Sequence, residues 1–252
     1  MNWLKQRRSS KSAAVYIPIG ALLIVLLTIF GTSGFLRIVE IEVSGAVIYS
    51  EEEIIGISGI SPGDNLLFID ANSAAKRIQS AMPFINSAKV TRLPPGAIHI
   101  EVTESIAVAW LAFENEAVVI DSSGRVLQRS FSAPVSFIEI RGINPVEAVE
   151  GNVLKAELGS ETQFQILLDV LSAIEREGLQ EGVSFLDITS ISNISFGYIE
   201  RFRVVLGGPT NLRQKMASLP TAISEVDAGD HAGSTGTLKA ETDGSWRFTK
   251  DN

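Results

Sequence analysis

The residues that could do chemistry in this chain are few, and their spacing points away from catalysis. Two histidines, His99 and His231, stand far apart in sequence and in no metal-ligand spacing, so no histidine metal site is expected. There is no cysteine, which removes disulfide scaffolds, cysteine-ligated zinc or iron–sulfur centres and thiol nucleophiles in one step. Asp121 opens the turn Asp121-Ser122-Ser123-Gly124. That setting favours a carboxylate bonding its own backbone over a catalytic acid. His231 lies in a Gly-, Asp- and Ser-rich stretch, 227–236, that reads as a loop. Gly207-Gly208-Pro209-Thr210 is a turn entering a helix. Phosphate-loop, dinucleotide, nucleophile-elbow and zincin patterns do not occur. A serine–lysine peptidase just outside the apolar run described next would need a nearby lysine there, and the first lysine after that run is Lys76. The chain is therefore read as no enzyme, with no cofactor and no metal.

What remains is a question of surfaces and of where they are held. The 252 residues carry a net charge of −8 and a pI near 4.9. This argues against nucleic-acid binding, which needs a basic surface. A mean hydropathy of +0.23 is high for a soluble chain. Lys5, Arg7, Arg8 and Lys11 precede a stretch, 12–36, with no charge at all, which contains the apolar run 15–30. About 20 apolar residues cross a bilayer as a helix. Positive charge before the run places the N-terminus in the cytoplasm and everything from Arg37 outside. A cleaved signal peptide is the rival reading, but the run exceeds the core of such a peptide. The expected division is a cytoplasmic tail at 1–12, a membrane helix at 13–35, a domain at 36–104, a second at 105–242 and a tail at 243–252. Beyond the apolar run, seventeen basic residues face twenty-nine acids, a net −12. Such a surface keeps a domain soluble and repels polyanions.

Val39, Ile41 and Val43 alternate with Glu40, Glu42 and Ser44, the period of a half-buried strand that stops at Gly45. Ser50 and Glu53 form a capping box that opens a short helix. Asn72 or Ser73 caps a second, with Ala75, Ile78 and Met82 on one side and Pro83 at its end. Residues 84–93 read as a strand, Pro94-Pro95-Gly96 as a turn, and Ile98, Ile100 and Val102 as the inward residues of a third strand.

That β-α-α-β-β order after a single apolar run is the order of a POTRA domain. The motifs resemble those of the bacterial cell-division FtsQ/DivIB family: Val43 and Gly45; Asn65, Leu67, Phe68, Ile69 and Asp70; Pro83, Ile85, Ala88, Val90, Arg92 and Pro94; Ile100, Val102 and Glu104; Ile120, Asp121, Gly124, Val126 and Leu127. Ser105 departs from the family, which commonly has Arg or Lys there.

Further along, a strand is expected at 107–113, a hairpin at 117–120 and 126–128, and a strand at 135–140. A helix capped by Ser160 and Gln163 carries Phe164, Leu167, Leu168, Leu171 and Ile174 on one face and ends at Gly178. Strands follow at 183–191, 194–199 and 201–206. Leu206-Gly207, Leu212, Lys215 and Leu219 match a family strand that runs into a helix, interrupted by Pro220. The resemblance implies that this helix packs on the sheet, with Lys215 towards the membrane-distal end. Gly236, Thr237 and Leu238 fit the family's last strand, while Lys239 stands where Asp is common.

The fold class expected is α+β: one N-terminal membrane helix, a POTRA domain, then a mixed antiparallel β domain with two helices. The resemblance further implies a non-catalytic divisome scaffold, single-pass with its bulk outside the membrane, at the division septum. It would bind FtsB/DivIC- and FtsL-like coiled-coil proteins and regulate septal peptidoglycan synthesis. The partner-binding residues it implies are Thr237, Leu238, Lys239 and Ala240 on the final strand, with Leu212 and Lys215 on the adjoining helix. The alternative is a chaperone-like POTRA module of a secretion or outer-membrane assembly system. A single copy and the lack of barrel sequence speak against it.

Overall fold

The computed structural model describes residues 13–32 and 36–251, so the expected tail at 1–12 lies outside the described residues. Helix α1 (Ala13–Thr32) has 20 residues, with Pro18 inside and no charged residue in its first or last turn. Its side chains are described for 16–29, all of them exposed. Among the described residues, no helix is long and apolar enough to cross a membrane. The chain divides into two units, the first of which includes α1. The first holds residues up to 79 with 87–104, and the second holds 80–86 with everything from 105 on.

Besides α1, the first unit contains β1 (Glu40–Ser44), α2 (Glu51–Ser58), nearly all of α3 (Ala71–Ala81), most of β2 (Ile85–Leu93) and β3 (Ala97–Glu104). Its sheet order is β1-β3-β2, with β1 parallel to β3 and Val43 opposite Ile100. The period-two pattern turns Val43, Ile98, Ile100 and Val102 inward, where Ile54, Ala74 and Ile78 of the two helices are also buried. The capping box forms as read: Ser50 Oγ accepts the Glu53 N–H at 3.2 Å and Glu53 Oε2 accepts the Ser50 N–H at 2.9 Å. The cap of α3 is Asp70, not Asn72 or Ser73. Its carboxylate accepts from Ser73 N at 3.1 Å and from Ser73 Oγ at 2.7 Å, one residue before the helix. Those bonds from Ser73 hold its pKa below the usual carboxylate range. Glu104 has a similar task, accepting the N–H groups of Ile48 at 2.9 Å and Tyr49 at 3.3 Å.

Gly45 ends β1 with φ +83°, and a Cβ there would stand 2.0 Å from the Val102 carbonyl oxygen. Left-handed backbone and backbone overlap act together, so only glycine fits. Gly45→Ala is expected to cost about 1–3 kcal/mol, read as an earlier midpoint in denaturant unfolding of the first unit.

The second unit is built on one nine-stranded sheet. Its strands are β4 (Ala109–Phe113), β5 (Glu116–Ile120), β6 (Val126–Ser130), β7 (Ile138–Arg141), β10 (Val183–Asp187), β11 (Ile194–Tyr198), β12 (Phe202–Gly207), β13 (Gly236–Ala240) and β14 (Trp246–Lys250). A small β8 (Pro145–Glu147) and β9 (Lys155–Ala156) pair separately. The large sheet runs β14-β13-β12-β11-β10-β7-β4-β5-β6. Two helices, α4 (Glu161–Arg176) and α5 (Leu212–Ala228), bury Leu167, Val170, Leu171, Ile174, Met216 and Leu219 in the core that the sheet lines with Ile138, Leu186, Phe196, Val204 and Leu238.

The expected antiparallel sheet needs correction. The pairs β4–β7, β7–β10 and β12–β13 are parallel. Parallel neighbours need a long crossover, and α4 supplies it between β7 and β10 as α5 does between β12 and β13. Two helix details also differ. Ser160 makes no side-chain cap; Gln163 reaches instead to the carbonyls of Gly142 at 2.8 Å and Ile188 at 2.6 Å, tying α4 to two strand ends. Pro220 does not stop α5, which continues to Ala228. Proline lacks the N–H that would reach the Met216 carbonyl. The cost falls on the outer side of the helix, where Pro220 is exposed, while Met216, Leu219 and Ala222 stay buried on the other.

Asp121 is a buried turn aspartate. It accepts from Ser123 N at 2.9 Å, Ser123 Oγ at 2.6 Å, Arg125 N at 2.9 Å and Ser105 Oγ at 2.8 Å. Ser105, where the family commonly has a cation, is itself buried and spends its hydroxyl here. Asp121→Ala strips four donors of their acceptor and is expected to cost about 2–3 kcal/mol, seen as a lower thermal midpoint.

Candidate functional site

A sheet has two edges, and here they are treated differently. At β6 the chain folds back over its own edge. Val126 N donates to Asn152 O, Gly151 N to Val126 O and Leu154 N to Gly124 O, each at 2.8 Å. The Glu150 carboxylate accepts the Arg129 N–H at 2.9 Å. At the other end, β14 is the last strand, and no strand among the described residues pairs with its outer side.

Residues 243–252 were expected as a tail, with Thr237–Ala240 as the final strand. The chain instead turns at Asp243-Gly244 and returns as β14, antiparallel to β13, with Leu238 opposite Phe248 and Ala240 opposite Trp246. Asp243 shapes the turn by accepting from Ser245 N at 2.9 Å and Ser245 Oγ at 2.7 Å, which holds its pKa down. β13 thus lies between β12 and β14, and both of its sides are already paired.

The phase of the β13–β14 ladder follows from its ends. Glu241 N donates to Ser245 O at 2.9 Å, and Asp251 N to Thr235 O at 3.1 Å. Hydrogen-bonded and non-hydrogen-bonded pairs alternate along an antiparallel ladder. Arg247 and Thr249 therefore turn their backbone groups towards β13. Trp246, Phe248 and Lys250 turn theirs outward, towards the open edge.

The six residues named from the sequence do not share one surface. Leu238 and Ala240 face α5 and are buried. Thr237 and Lys239 face the other side of the sheet, away from α4 and α5, and Lys239 stands opposite Arg247. Lys215 donates to the carbonyls of Leu206 at 2.6 Å and Gly208 at 3.1 Å, and burial pulls its pKa below that of an ordinary lysine. It fastens the β12–α5 turn and sits beside the β13–β14 turn, in a hollow shared with Glu241, Thr242 and Asp243. Leu212 lies on another side of α5, with Asp169 and Ala173 of α4.

The residues that do gather at the open edge were missed: Trp246, Phe248, Val226 and His231. With Ala222 and Leu238 they line a hollow of about 200 Å³ between α5 and β14. Trp246 Nε1 donates to Ser218 Oγ on α5 at 2.9 Å. Phe248 meets Phe202 edge-on at 6.1 Å between ring centres, and His231 lies 5.2 Å from Phe248. Arg201 clamps the far end of α5 through Asp227 at 2.8 Å, and that bond keeps the Asp227 pKa low. The signal for β14 was available, since Asp-Gly before an alternating Trp-Arg-Phe-Thr is a hairpin pattern.

Comparison with known proteins bears on this architecture. The model of the FtsQ-type POTRA domain matches residues 36–105. The chain carries an FtsQ-type POTRA domain. The resemblance read from the motifs extends past that domain. The chain is 25% identical to the cell division protein FtsQ of Corynebacterium glutamicum over 206 residues, 79% of this chain and 86% of that one. It is 22% identical to the cell division protein DivIB of Clostridium tetani, over 77% of this chain and 72% of the other. With FtsQ of Bradyrhizobium diazoefficiens it shares 35% identity over 97 residues, 38% of this chain and 28% of that one. The solved extracytoplasmic domain of DivIB from Geobacillus stearothermophilus is 11% identical and overlays 50% of this chain with a TM-score of 0.31, too low to bear on the fold. These relatives support a role in cell division. The first unit is the POTRA domain, and the candidate edge lies in the unit after it.

Lys215 separates a structural from a binding role. Lys215→Ala removes the donor to two carbonyls and is expected to lower stability by about 1–3 kcal/mol, seen as a lower thermal midpoint of the isolated full chain. An unchanged midpoint would return Lys215 to the list of free binding residues.

Proposed function

We propose that this chain is a non-catalytic scaffold of the division machinery. It is anchored by α1 with its N-terminus in the cytoplasm, and it holds FtsB/DivIC- and FtsL-like coiled-coil proteins outside the membrane at the septum. Through them it regulates septal peptidoglycan synthesis. The names of the relatives support the cell-division role. The observation that carries the binding mode is the contrast between a β6 edge covered by its own chain and a β14 edge left open beside an apolar hollow.

An extended segment of the partner adds to β14. The outward backbone groups of Trp246, Phe248 and Lys250 supply the hydrogen bonds, and alternate side chains of the partner enter the hollow by α5 and fix the choice of partner. In this reading Thr237–Ala240 act from one strand further in. Leu238 and Ala240 hold Phe248 and Trp246 in place, while Thr237 and Lys239 face away from α4 and α5. Lys215 supports the turn that brings β14 back, and Leu212 belongs to the α4–α5 contact. The apolar run, the exposed side chains of α1 and the cationic residues ahead of it support the anchor.

Co-purification from the protein's own cells tests both levels. The full chain is expected to bring down small coiled-coil division proteins. Phe248→Ala removes a ring from the hollow and weakens recovery. Phe248→Pro removes in addition the outward N–H, which no ladder bond uses, and abolishes recovery with the thermal midpoint close to that of Phe248→Ala. Equal recovery with both variants sinks the edge mechanism. Absence of coiled-coil division proteins with every version sinks the scaffold.

A further inference from the structure

We infer that the end of the POTRA domain at which the chain enters is a membrane-interface plate, in which Val39, Leu67, Phe68 and Leu93 insert into the headgroup layer of the bilayer that holds α1. This rests on the reading of α1 as the anchor.

Topology gathers the four residues. The chain enters at the start of β1, and because β1 and β3 run parallel, the start of β3 lies at the same end. β2 and β3 are neighbours joined by residues 94–96, so the end of β2 lies there too. Backbone bonds tie in the remaining segment. Leu66 N donates to Leu36 O and Ile38 N to Asp64 O, both at 2.8 Å, and Val39 N donates to Gly96 O at 2.8 Å. Arg92 reaches the Ile69 carbonyl from β2. Three separate segments thus bring their side chains to one end, with Val39 81%, Phe68 78%, Leu67 53% and Leu93 43% exposed.

Single exposed apolar residues mean little. Exposure also does not choose between the two ends of this sheet, since Val47 beyond the other end of β1 is 88% exposed. The path of the chain makes the choice. Thr32 closes α1 and Leu36 opens the domain, so four peptide links, at most about 14 Å, join them. The headgroup layer extends roughly 5–8 Å beyond the hydrocarbon core on each side. Apolar tips tethered that closely to a span lie within its reach, and apolar and aromatic side chains favour that layer.

The charges at this end agree. Arg37 and Arg92 are exposed there and can reach lipid phosphates with their stems in the apolar layer. Two of the nearby acids are engaged with backbone: Asp64 accepts Ser61 N at 2.8 Å, and Asp70 caps α3. Glu40, at the start of β1, remains exposed on the strand.

The absence of cysteine makes the test direct, because any introduced cysteine is unique. The full chain is reconstituted alone in vesicles of phosphatidylcholine and phosphatidylglycerol, with a nitroxide label on Leu23→Cys, Phe68→Cys, Leu93→Cys or Val47→Cys. Accessibility to a water-soluble nickel chelate is compared with accessibility to oxygen dissolved in the lipid. Labels at 68 and 93 are expected to show several-fold lower access to nickel than the label at 47, with the label at 23 lower still. If 23 is in lipid and 68 and 93 are as accessible as 47, the plate is overturned and the anchor stands. If 47 is as protected as 68 and 93, no end is selected and the plate is overturned. If 23 is open to water, the anchor fails and the plate with it.

Discussion

Every structure built on an open sheet must deal with the backbone groups along its two edges. Those groups cannot be left buried and unpaired, and left exposed they invite another chain. In the second unit this constraint organises much else. At β6 the chain spends the stretch around 149–154 on covering the edge, with three backbone bonds and the Glu150 carboxylate. At β14 no strand among the described residues does the same, and the groups of Trp246, Phe248 and Lys250 face outward. The asymmetry matters more than either edge alone. Among the described residues, this chain closes an edge with its own backbone at β6 and leaves the β14 edge unpaired.

The helices make that edge a defined shape. Both lie on one side of the sheet as crossovers between parallel strands, so their positions are set by chain path as well as by apolar contact. α5 is pinned at its start by Lys215 on the carbonyls of Leu206 and Gly208, and near its end by Arg201 on Asp227. Trp246 is then fixed to α5 through Ser218. The hollow by β14 is therefore held open by a helix fastened at both ends. A partner entering it would meet a surface already ordered, which lowers the entropic cost of binding.

The POTRA domain was legible nearly residue by residue because its elements announce themselves locally: period-two strands, a capping box, a glycine stop. The second unit was legible in its elements but less in its assembly. Which strands pair in parallel depends on where α4 and α5 carry the chain, and no local pattern states that. Gln163 fits a capping box by spacing but is drawn away by two strand-end carbonyls that only the folded sheet brings near. Pro220 looks like a stop, yet buried neighbours on both sides of it keep α5 whole. The candidate site suffered most from one missed strand. Once Trp246–Lys250 is a strand, Thr237–Ala240 cease to be an edge, and Leu238 and Ala240 become core.

An open edge also has to avoid its own copies. β14 carries two cations, Arg247 and Lys250, which a second copy of the edge would bring against the same two, and Lys239 stands directly opposite Arg247 on the adjoining strand. Like charges facing across strands are destabilising, and cationic side chains are a common way to blunt an edge. Glu241 offsets part of this by pairing with Arg247 at 3.1 Å, but it serves that one cation. The five residues of β14 itself include these two cations and no acid, in a chain that carries a net −8 overall, with acids at Glu241, Asp243 and Asp251 on either side. The edge is thus poor at pairing with itself while its backbone groups stay available. That combination suits a strand acceptor for a different chain better than a surface for self-association.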